Sequence, residues 1–195
     1  MVRRAAIVTL ITHLLVAGCI YARVSWTALL LSICVAGGVH IWIIGRRLVP
    51  SATCVLGVAL ATRVLLWTTP ATLSDDLYRY LWDGRVQAAG INPYAWAPDS
   101  PELAHLRDPL WEKVNHRSIP TIYPPLAQSA FRLIDDTWHD PRSVKAVMGT
   151  ADFLTVCLLL SAFGPGAALA YGWCPLAALE FAGNGHMDAL GILLL

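Results

Sequence analysis

The sequence predicts an all-α integral membrane protein with about five to six transmembrane helices and a large loop that bears short surface helices. The first observation is composition: 56% of the 195 residues are hydrophobic, only 14% are charged, and the mean hydropathy is +0.56. Such values are typical of membrane proteins. The second is the distribution of the 13 acidic residues, which all lie at or after Asp75. The net charge of +1 says little by itself, and no nucleic-acid partner is expected.

The predicted spans are apolar segments of the length that crosses a bilayer core, about 20 helical residues. They belong to a single membrane domain and cover residues 5–22, 25–45, 49–68, 143–163 and 166–182, with the start of a sixth at 188–195. The fifth is short and contains Pro175, so we expect a kink or tilt there. The final apolar run, LGILLL, continues to Leu195, from which we expect an N-terminal part of a longer protein.

Arginine pairs predict the orientation of these spans. Residues 3–4 precede the first span and residues 46–47 follow the second, so the two pairs lie on one side, which the positive-inside rule makes cytoplasmic. The N-terminus is then cytoplasmic and residues 69–142 form an extracytoplasmic loop. The same topology brings EFAGNGHMDA, residues 180–189, to the outer surface. The sequence therefore predicts a multi-pass protein of the cytoplasmic membrane with its polar clusters outside.

The loop begins with SDDLYRYLWDGR, residues 74–85. Ser74 is a good N-cap and Gly90 a good residue just beyond a helix end, so the segment between them is predicted to form a helix on the membrane surface. Apolar side chains of such a helix enter the headgroup region. Those expected to do so are Leu77, Leu81 and Val86.

Four polar side chains of this helix are predicted to share one face, because they follow one another at i, i+3, i+4 and i+7. They are Asp76, Arg79, Tyr80 and Asp83. Asp75 can also pair with Arg79 at i, i+4. Two interpretations stay open: the aspartates compensate the helix dipole, or the adjacent carboxylates accept a proton or hold a divalent cation.

The charges inside predicted spans include Arg63 in the third and Asp152 in the fourth. An intramembrane carboxylate is costly and usually faces a partner or a hydrated cavity. An ion pair between the two helices, or the lining of a cavity, is therefore favoured over direct chemistry.

A second polar cluster, GNGHMD, contains Asn184, His186 and Asp188. A metal site that joins the last two to the loop aspartates is one interpretation. A His and an Asp two positions apart do not face the same way on a helix, so contact of His186 with a phosphate or a sugar hydroxyl is favoured. For Asn184 the alternative is a helix N-cap.

Three motifs, SDDLYRYLWDGRVQAAGINPYAW, IYPPLAQ and EFAGNGHMDALG, in this order resemble polytopic membrane glycosyltransferases of the GT-C superfamily. The closest likeness is to bacterial polyprenyl-phosphate-mannose-dependent mannosyltransferases, and it covers about Leu73 to the C-terminus. The resemblance implies transfer of a sugar, in the first place mannose, from a polyprenyl-phosphate donor. The acceptor is the hydroxyl of a glycolipid, a glycan or a protein outside the membrane. Membrane lipids are further expected partners of the chain.

The resemblance also implies roles for individual residues. One loop carboxylate, Asp76 or Asp75, takes the proton of the acceptor hydroxyl, and Asp76 is preferred because it shares a face with Arg79. The leaving lipid phosphate requires cations or hydrogen-bond donors. The candidates for phosphate and substrate binding are Arg79, Arg85, Asp83, Tyr123, His186, Asn184 and Asp188. Some members of the superfamily use a divalent metal, for which Asp75 and Asp76 are the implied ligands.

Two other functions remain as alternatives. A transporter or flippase for a lipid-linked sugar also requires a hydrated cavity, and it moves the sugar without a new glycosidic bond. In a non-catalytic membrane subunit the aspartates only begin a helix. Replacement of Asp75 then affects stability alone.

Overall fold

The computed structural model describes residues 1–195 and consists of helices joined by turns, without strands, which confirms the all-α fold class. Three helices are long and apolar enough to cross a membrane by length and composition: α1 (Val2–Tyr21), α2 (Trp26–Gly45) and α6 (Pro141–Phe163). A shorter apolar helix, α3 (Ala52–Thr68), has 17 residues. These features are consistent with a membrane protein.

The starts of these helices follow from local sequence. The Ser25 hydroxyl accepts a hydrogen bond from a backbone N–H in the first turn of α2, and Ser51 does the same for α3. At α6 the Asp140 carboxylate accepts from the Arg142 N–H, and Pro141 occupies the first turn, where its missing N–H costs nothing. Each cap satisfies a donor that has no partner within the helix.

The segment between α3 and α6 contains two helices that pack on each other, α4 (Asp76–Ala88) and α5 (Pro125–Thr137). Short 3₁₀ turns at Pro101–Leu106 and Trp111–Lys113 connect them. Ser74, predicted as the N-cap of α4, lies one residue before that position, although its hydroxyl accepts from the Asp76 N–H at 3.2 Å. The N-cap position itself belongs to Asp75.

The apolar face of α4 lies inside the protein. Leu77, Leu81 and Val86 are each 1% exposed, so the prediction that they enter the headgroup region is wrong. The reason is that α5 and the first turns of α6 cover Leu77 and Leu81, where the rings of Tyr80 and Phe131 stack with centroids 4.4 Å apart. Val86 is covered instead by Leu103 and Val114 from the segment after α4.

Gly84 lies at the closest approach of α4 and α5. A Cβ atom at this position would stand 2.4 Å from the Phe131 carbonyl oxygen and 2.9 Å from the Asp135 Cβ. Replacement by alanine forces the helices apart, and we expect Gly84→Ala to lower the free energy of unfolding by about 1–3 kcal/mol. Thermal unfolding in detergent measures the change. Gly57→Ala in α3, where a Cβ has nothing within 4 Å, is the control, and equal melting temperatures for the two variants would contradict tight packing.

Beyond α6 the chain is broken into short helical segments. Residues Pro165–Gly172 form α7, Pro175–Ala178 form α8, a π-type turn covers Leu179–Gly183, and Asp188–Leu194 form α9. The segment predicted as a fifth span, 166–182, is therefore not one continuous helix. The helix is broken just before Pro175, the residue at which a kink was expected. The reason is that proline has no N–H to continue the helical hydrogen bonds.

A buried ion pair joins α3 to α6. Arg63 Nε donates to Asp152 Oδ2 at 2.7 Å, and the side chains are 3% and 0% exposed. The guanidinium also donates to the carbonyls of Ala59 and Gly172, at 3.1 and 2.6 Å. The predicted helix–helix pair is confirmed, and it additionally fixes the end of α7.

Lys145 provides a second link between α3 and α6 that the sequence did not indicate. Its ammonium donates to the carbonyls of Leu66, Trp67 and Thr69. These carbonyls belong to the C-terminal end of α3, where a cation is favourable because the carbonyls have no helical partner. The side chain of Lys145 therefore fixes the point from which the α4–α5 segment leaves α3.

Candidate functional site

The acidic pair lies at the start of α4, where one amide holds both carboxylates. Asn115 Nδ2 donates to Asp75 Oδ1 at 2.7 Å and to Asp76 Oδ1 at 2.6 Å. Asp75 is exposed, whereas Asp76 is half-buried. Sequence reasoning missed Asn115, because a lone amide some 40 positions away carries no pattern that links it to the aspartates.

Arg79 and Asp83, which follow the acidic pair on α4, form a buried ion pair. Arg79 Nε donates to Asp83 Oδ1 at 3.0 Å, and its other nitrogens donate to the carbonyls of His116 and Ile119. Burial raises the pKa of Asp83, against the lowering effect of Arg79 and of donors including Gln128. The alternative pair of Asp75 with Arg79 does not form. The substrate contacts of Arg79 and Asp83 stay predictions, and protein groups already bind both side chains.

Two tyrosines adjoin the acidic pair. The rings of Tyr80 and Tyr123 meet edge to face with centroids 5.0 Å apart. Burial and then the Asp76 carboxylate raise the pKa of Tyr123 to about 12. Burial, Tyr123 and Asp76 together raise the pKa of Tyr80 further. Both hydroxyls are therefore neutral hydrogen-bond donors, and that of Tyr80 also meets the backbone of Met187.

Asn184 ties the second polar cluster to the segment before α4. Its Oδ1 accepts from the backbone N–H groups of Thr72 and Leu73, each at 3.1 Å, and the residue is 2% exposed. The alternative interpretation as a helix N-cap is wrong, since α9 begins after Met187. Asn184 therefore brings the GNGHMD motif and the acidic helix into one folded unit.

His186 stands between two carboxylates in this unit. Its Nε2 lies 3.4 Å from Glu180 Oε2 and its Nδ1 lies 3.9 Å from Asp188 Oδ2. The imidazole is 25% exposed and the Asp188 side chain 66%, so both can reach a ligand. Glu180 belongs to the π-type turn, a feature that is frequent at functional sites. Sequence reasoning did not select Glu180, although an acid within an apolar run was a usable signal.

The structure does not bring Arg85 to the acidic pair. It lies nine residues beyond Asp76 on α4, about 14 Å away by helical rise, and Arg85 Nη1 is 2.7 Å from Asp108 Oδ2. The same carboxylate lies 3.2 Å from His139 Nε2. The phosphate contact predicted for Arg85 at this site therefore has no support in the geometry, because the guanidinium joins a separate charged network.

The protein has a cavity at Asn115 and a groove between two of its long helices. One of about 260 Å³ lies beside the acidic pair, and its lining includes Asn115, Tyr123, Ile119 and Ile122. The other, of about 380 Å³, is a mostly apolar groove between α3 and α6. Its lining includes Leu60, Val64, Trp67, Phe153 and the two cations Arg63 and Lys145. The first can hold a polar group near the carboxylates, and the second can hold an apolar chain.

A divalent cation at Asp75 and Asp76 stays a prediction. Two carboxylates and, after rotation of its amide, the oxygen of Asn115 form a donor set of the hard-oxygen type that Mg²⁺ and Ca²⁺ prefer. No group of three or more His, Cys, Asp or Glu side chains is arranged to hold a metal ion.

Comparisons of the chain with family models, with curated proteins and with solved structures find no match in any of the three. The site is therefore interpreted from its own residues and their geometry.

Proposed function

We propose that the chain is a membrane glycosyltransferase that moves a sugar, in the first place mannose, from a polyprenyl-phosphate carrier to an acceptor hydroxyl. The reaction takes place on the extracytoplasmic side of the cytoplasmic membrane. The observation that carries the proposal is the single amide of Asn115, which holds Asp75 and Asp76 together beside two neutral tyrosine hydroxyls.

In the proposed reaction Asp76 acts as the general base. The acceptor oxygen attacks the anomeric carbon, its proton passes to the carboxylate, and the bond from the anomeric carbon to the phosphate oxygen breaks. The electron pair of that bond leaves with the lipid phosphate. A single displacement of this kind inverts the configuration at the anomeric carbon.

The surroundings favour Asp76 over Asp75 as the base. Asn115 occupies one oxygen of each carboxylate, so burial distinguishes the two. Asp76 is also half-buried beside Tyr80 and Tyr123, where a bound acceptor is screened from water. Asp75 is exposed at the N-cap position, and its role is to hold Asn115.

The cavity beside Asn115 is the proposed acceptor site. Its floor contains the amide and Tyr123, and its rim contains Ile119 and Ile122, which are 50% and 81% exposed. Polar groups at the floor orient an acceptor hydroxyl towards Asp76.

The donor is assigned to the other side of the acidic pair. His186, whose side chain is half-buried, is the candidate for contact with the lipid phosphate, and the neighbouring Glu180 limits the positions of its ring. The apolar groove between α3 and α6 suits the first isoprenoid units of the carrier.

The first test separates a transferase from a transporter of lipid-linked sugar. The full chain is placed in nanodiscs with radiolabelled polyprenyl-phosphate mannose and a bacterial membrane extract as the source of acceptors. We expect label in a new, inverted glycosidic bond that depends on the protein. In a proteoliposome assay, movement of label across the bilayer without a new bond would instead indicate a transporter.

A further inference from the structure

Helix α5 has an apolar surface that no part of the protein covers. Leu126 is 63% exposed and Leu133 69% exposed, and they lie on one side of the helix because they are seven residues apart. Ala130 lies between them on the same side. The side of α5 that packs against the protein is a different one and consists of Ala127, Gln128, Phe131 and Ile134.

Exposed apolar residues also lie near both ends of α5. Ile122, before the helix, is 81% exposed, and Trp138, directly after it, is 69% exposed. We call Ile122, Leu126, Leu133 and Trp138 the apolar edge. Single exposed apolar residues are ordinary, but four on and near one short helix are typical of a surface of interaction.

The remaining side of α5 is polar. Arg132 Nε pairs with Asp136 Oδ2 at 2.7 Å, with side chains 43% and 46% exposed, and Ser129 is exposed near them. The helix thus has a side buried in protein, an apolar exposed side and a charged exposed side. A helix that lies at the boundary between lipid and water has this distribution.

Two hydrogen bonds fix the level of the apolar edge relative to the long helices. The Ser143 hydroxyl, in the first turn of α6, donates to the Trp138 carbonyl at 2.7 Å. Trp67 Nε1, near the end of α3, donates to the Arg142 carbonyl at 3.0 Å. Trp138 therefore lies where α3 ends and α6 begins, and tryptophan is enriched at that level of a membrane protein.

We propose that the apolar edge is inserted at the boundary of headgroups and acyl chains of the bilayer that α6 crosses. The occupant of this surface is lipid, because Trp138 lies at the level where α3 ends and α6 begins, and Leu126 and Leu133 are exposed on the helix that directly precedes Trp138. Helix α5 then holds α4 and the acidic pair at a fixed height above the bilayer. Ile122 also lines the proposed acceptor cavity, whereas Leu126, Leu133 and Trp138 do not.

The test uses fluorescence quenching at single positions of the full chain in phosphatidylcholine nanodiscs. Leu126→Cys and Leu133→Cys carry an environment-sensitive label in a variant whose five native cysteines are replaced by alanine. Arg132→Cys, six positions after Leu126 and one before Leu133 and therefore on the charged side of the helix, is the matched control. We expect lipids with a nitroxide on the upper acyl chain to cause loss of fluorescence at the two leucine positions, with protection from aqueous iodide. Arg132→Cys should show the opposite pattern.

Two outcomes would overturn the proposal. Quenching by iodide at all three positions would place the edge in water, and protection from both quenchers at the leucine positions would indicate a second protein copy. A second measurement needs no cysteine: brominated lipids should quench less of the tryptophan fluorescence in Trp138→Phe than in the wild type. Equal quenching of the two proteins would contradict insertion even if the cysteine-free variant does not fold.

Discussion

Replacement of Asp152 by alanine is expected to lower the free energy of unfolding by about 3–5 kcal/mol, because Arg63 then remains buried without its counter-charge. The pair is 2.7 Å long with side chains 3% and 0% exposed, so water cannot compensate for the loss. Reversible unfolding of the full chain in mixed micelles measures the change.

The exposed pair of Arg132 and Asp136 is the matched control. It has the same length of 2.7 Å, but its side chains are 43% and 46% exposed, so Asp136→Ala should cost no more than about 1 kcal/mol. The double variant Arg63→Met with Asp152→Leu removes both charges and should recover most of the stability. Equal effects of Asp152→Ala and Asp136→Ala would show that the buried pair does not hold α3 against α6.

Asp76→Asn is expected to reduce the rate of sugar transfer by about 10²–10⁴-fold, the contribution typical of a general base. The amide has nearly the same shape as the carboxylate but accepts no proton at neutral pH, so the melting temperature should change little. Initial rates with labelled polyprenyl-phosphate mannose measure the effect. Asp75→Asn should give a smaller loss, because its carboxylate acts through Asn115.

Asp99→Asn, at an exposed acid between α4 and α5, provides the control for this comparison and should keep the wild-type rate. A wild-type rate for Asp76→Asn together with a large loss for Asp75→Asn would exchange the roles of the two carboxylates. If Asp75→Asn and Asp76→Asn lower the melting temperature but keep the wild-type rate of transfer, the two aspartates serve only to begin α4.

Much of the framework could be predicted from the sequence, because local physical rules determine it. Serines before apolar runs mark the starts of α2 and α3, and Gly90, with φ of 76°, ends α4 in a conformation that glycine adopts readily. The pairing of Arg63 with Asp152 was predictable because each charge is costly alone in an apolar interior.

The surroundings of α4 could not be predicted in the same way. The spacing of Leu77, Leu81 and Val86 indicates an apolar face, but it does not distinguish a face buried in lipid from one buried in protein. Contact with α5 decides the question, and it depends on the absence of a side chain at Gly84. Periodicity contains no information on that contact.

The site shows the same division between local and distant contacts. The ion pair of Arg79 with Asp83 follows from helical spacing. The bridge from Asn115 to the acidic pair and the bond of Arg85 with Asp108 depend instead on how the chain returns after α4. Asn184 was selected from its motif, but its actual partners, the backbone N–H groups of Thr72 and Leu73, lie over 110 residues away.

The most direct test of the proposed active site is one transfer assay on the wild type and the double variant Asp75→Asn with Asp76→Asn, in nanodiscs and at matched amounts of folded protein. The proposed mechanism predicts a labelled product with an inverted glycosidic bond from the wild type and no product above background from the double variant. Equal product from the two proteins would contradict the assignment of the acidic pair as the catalytic centre.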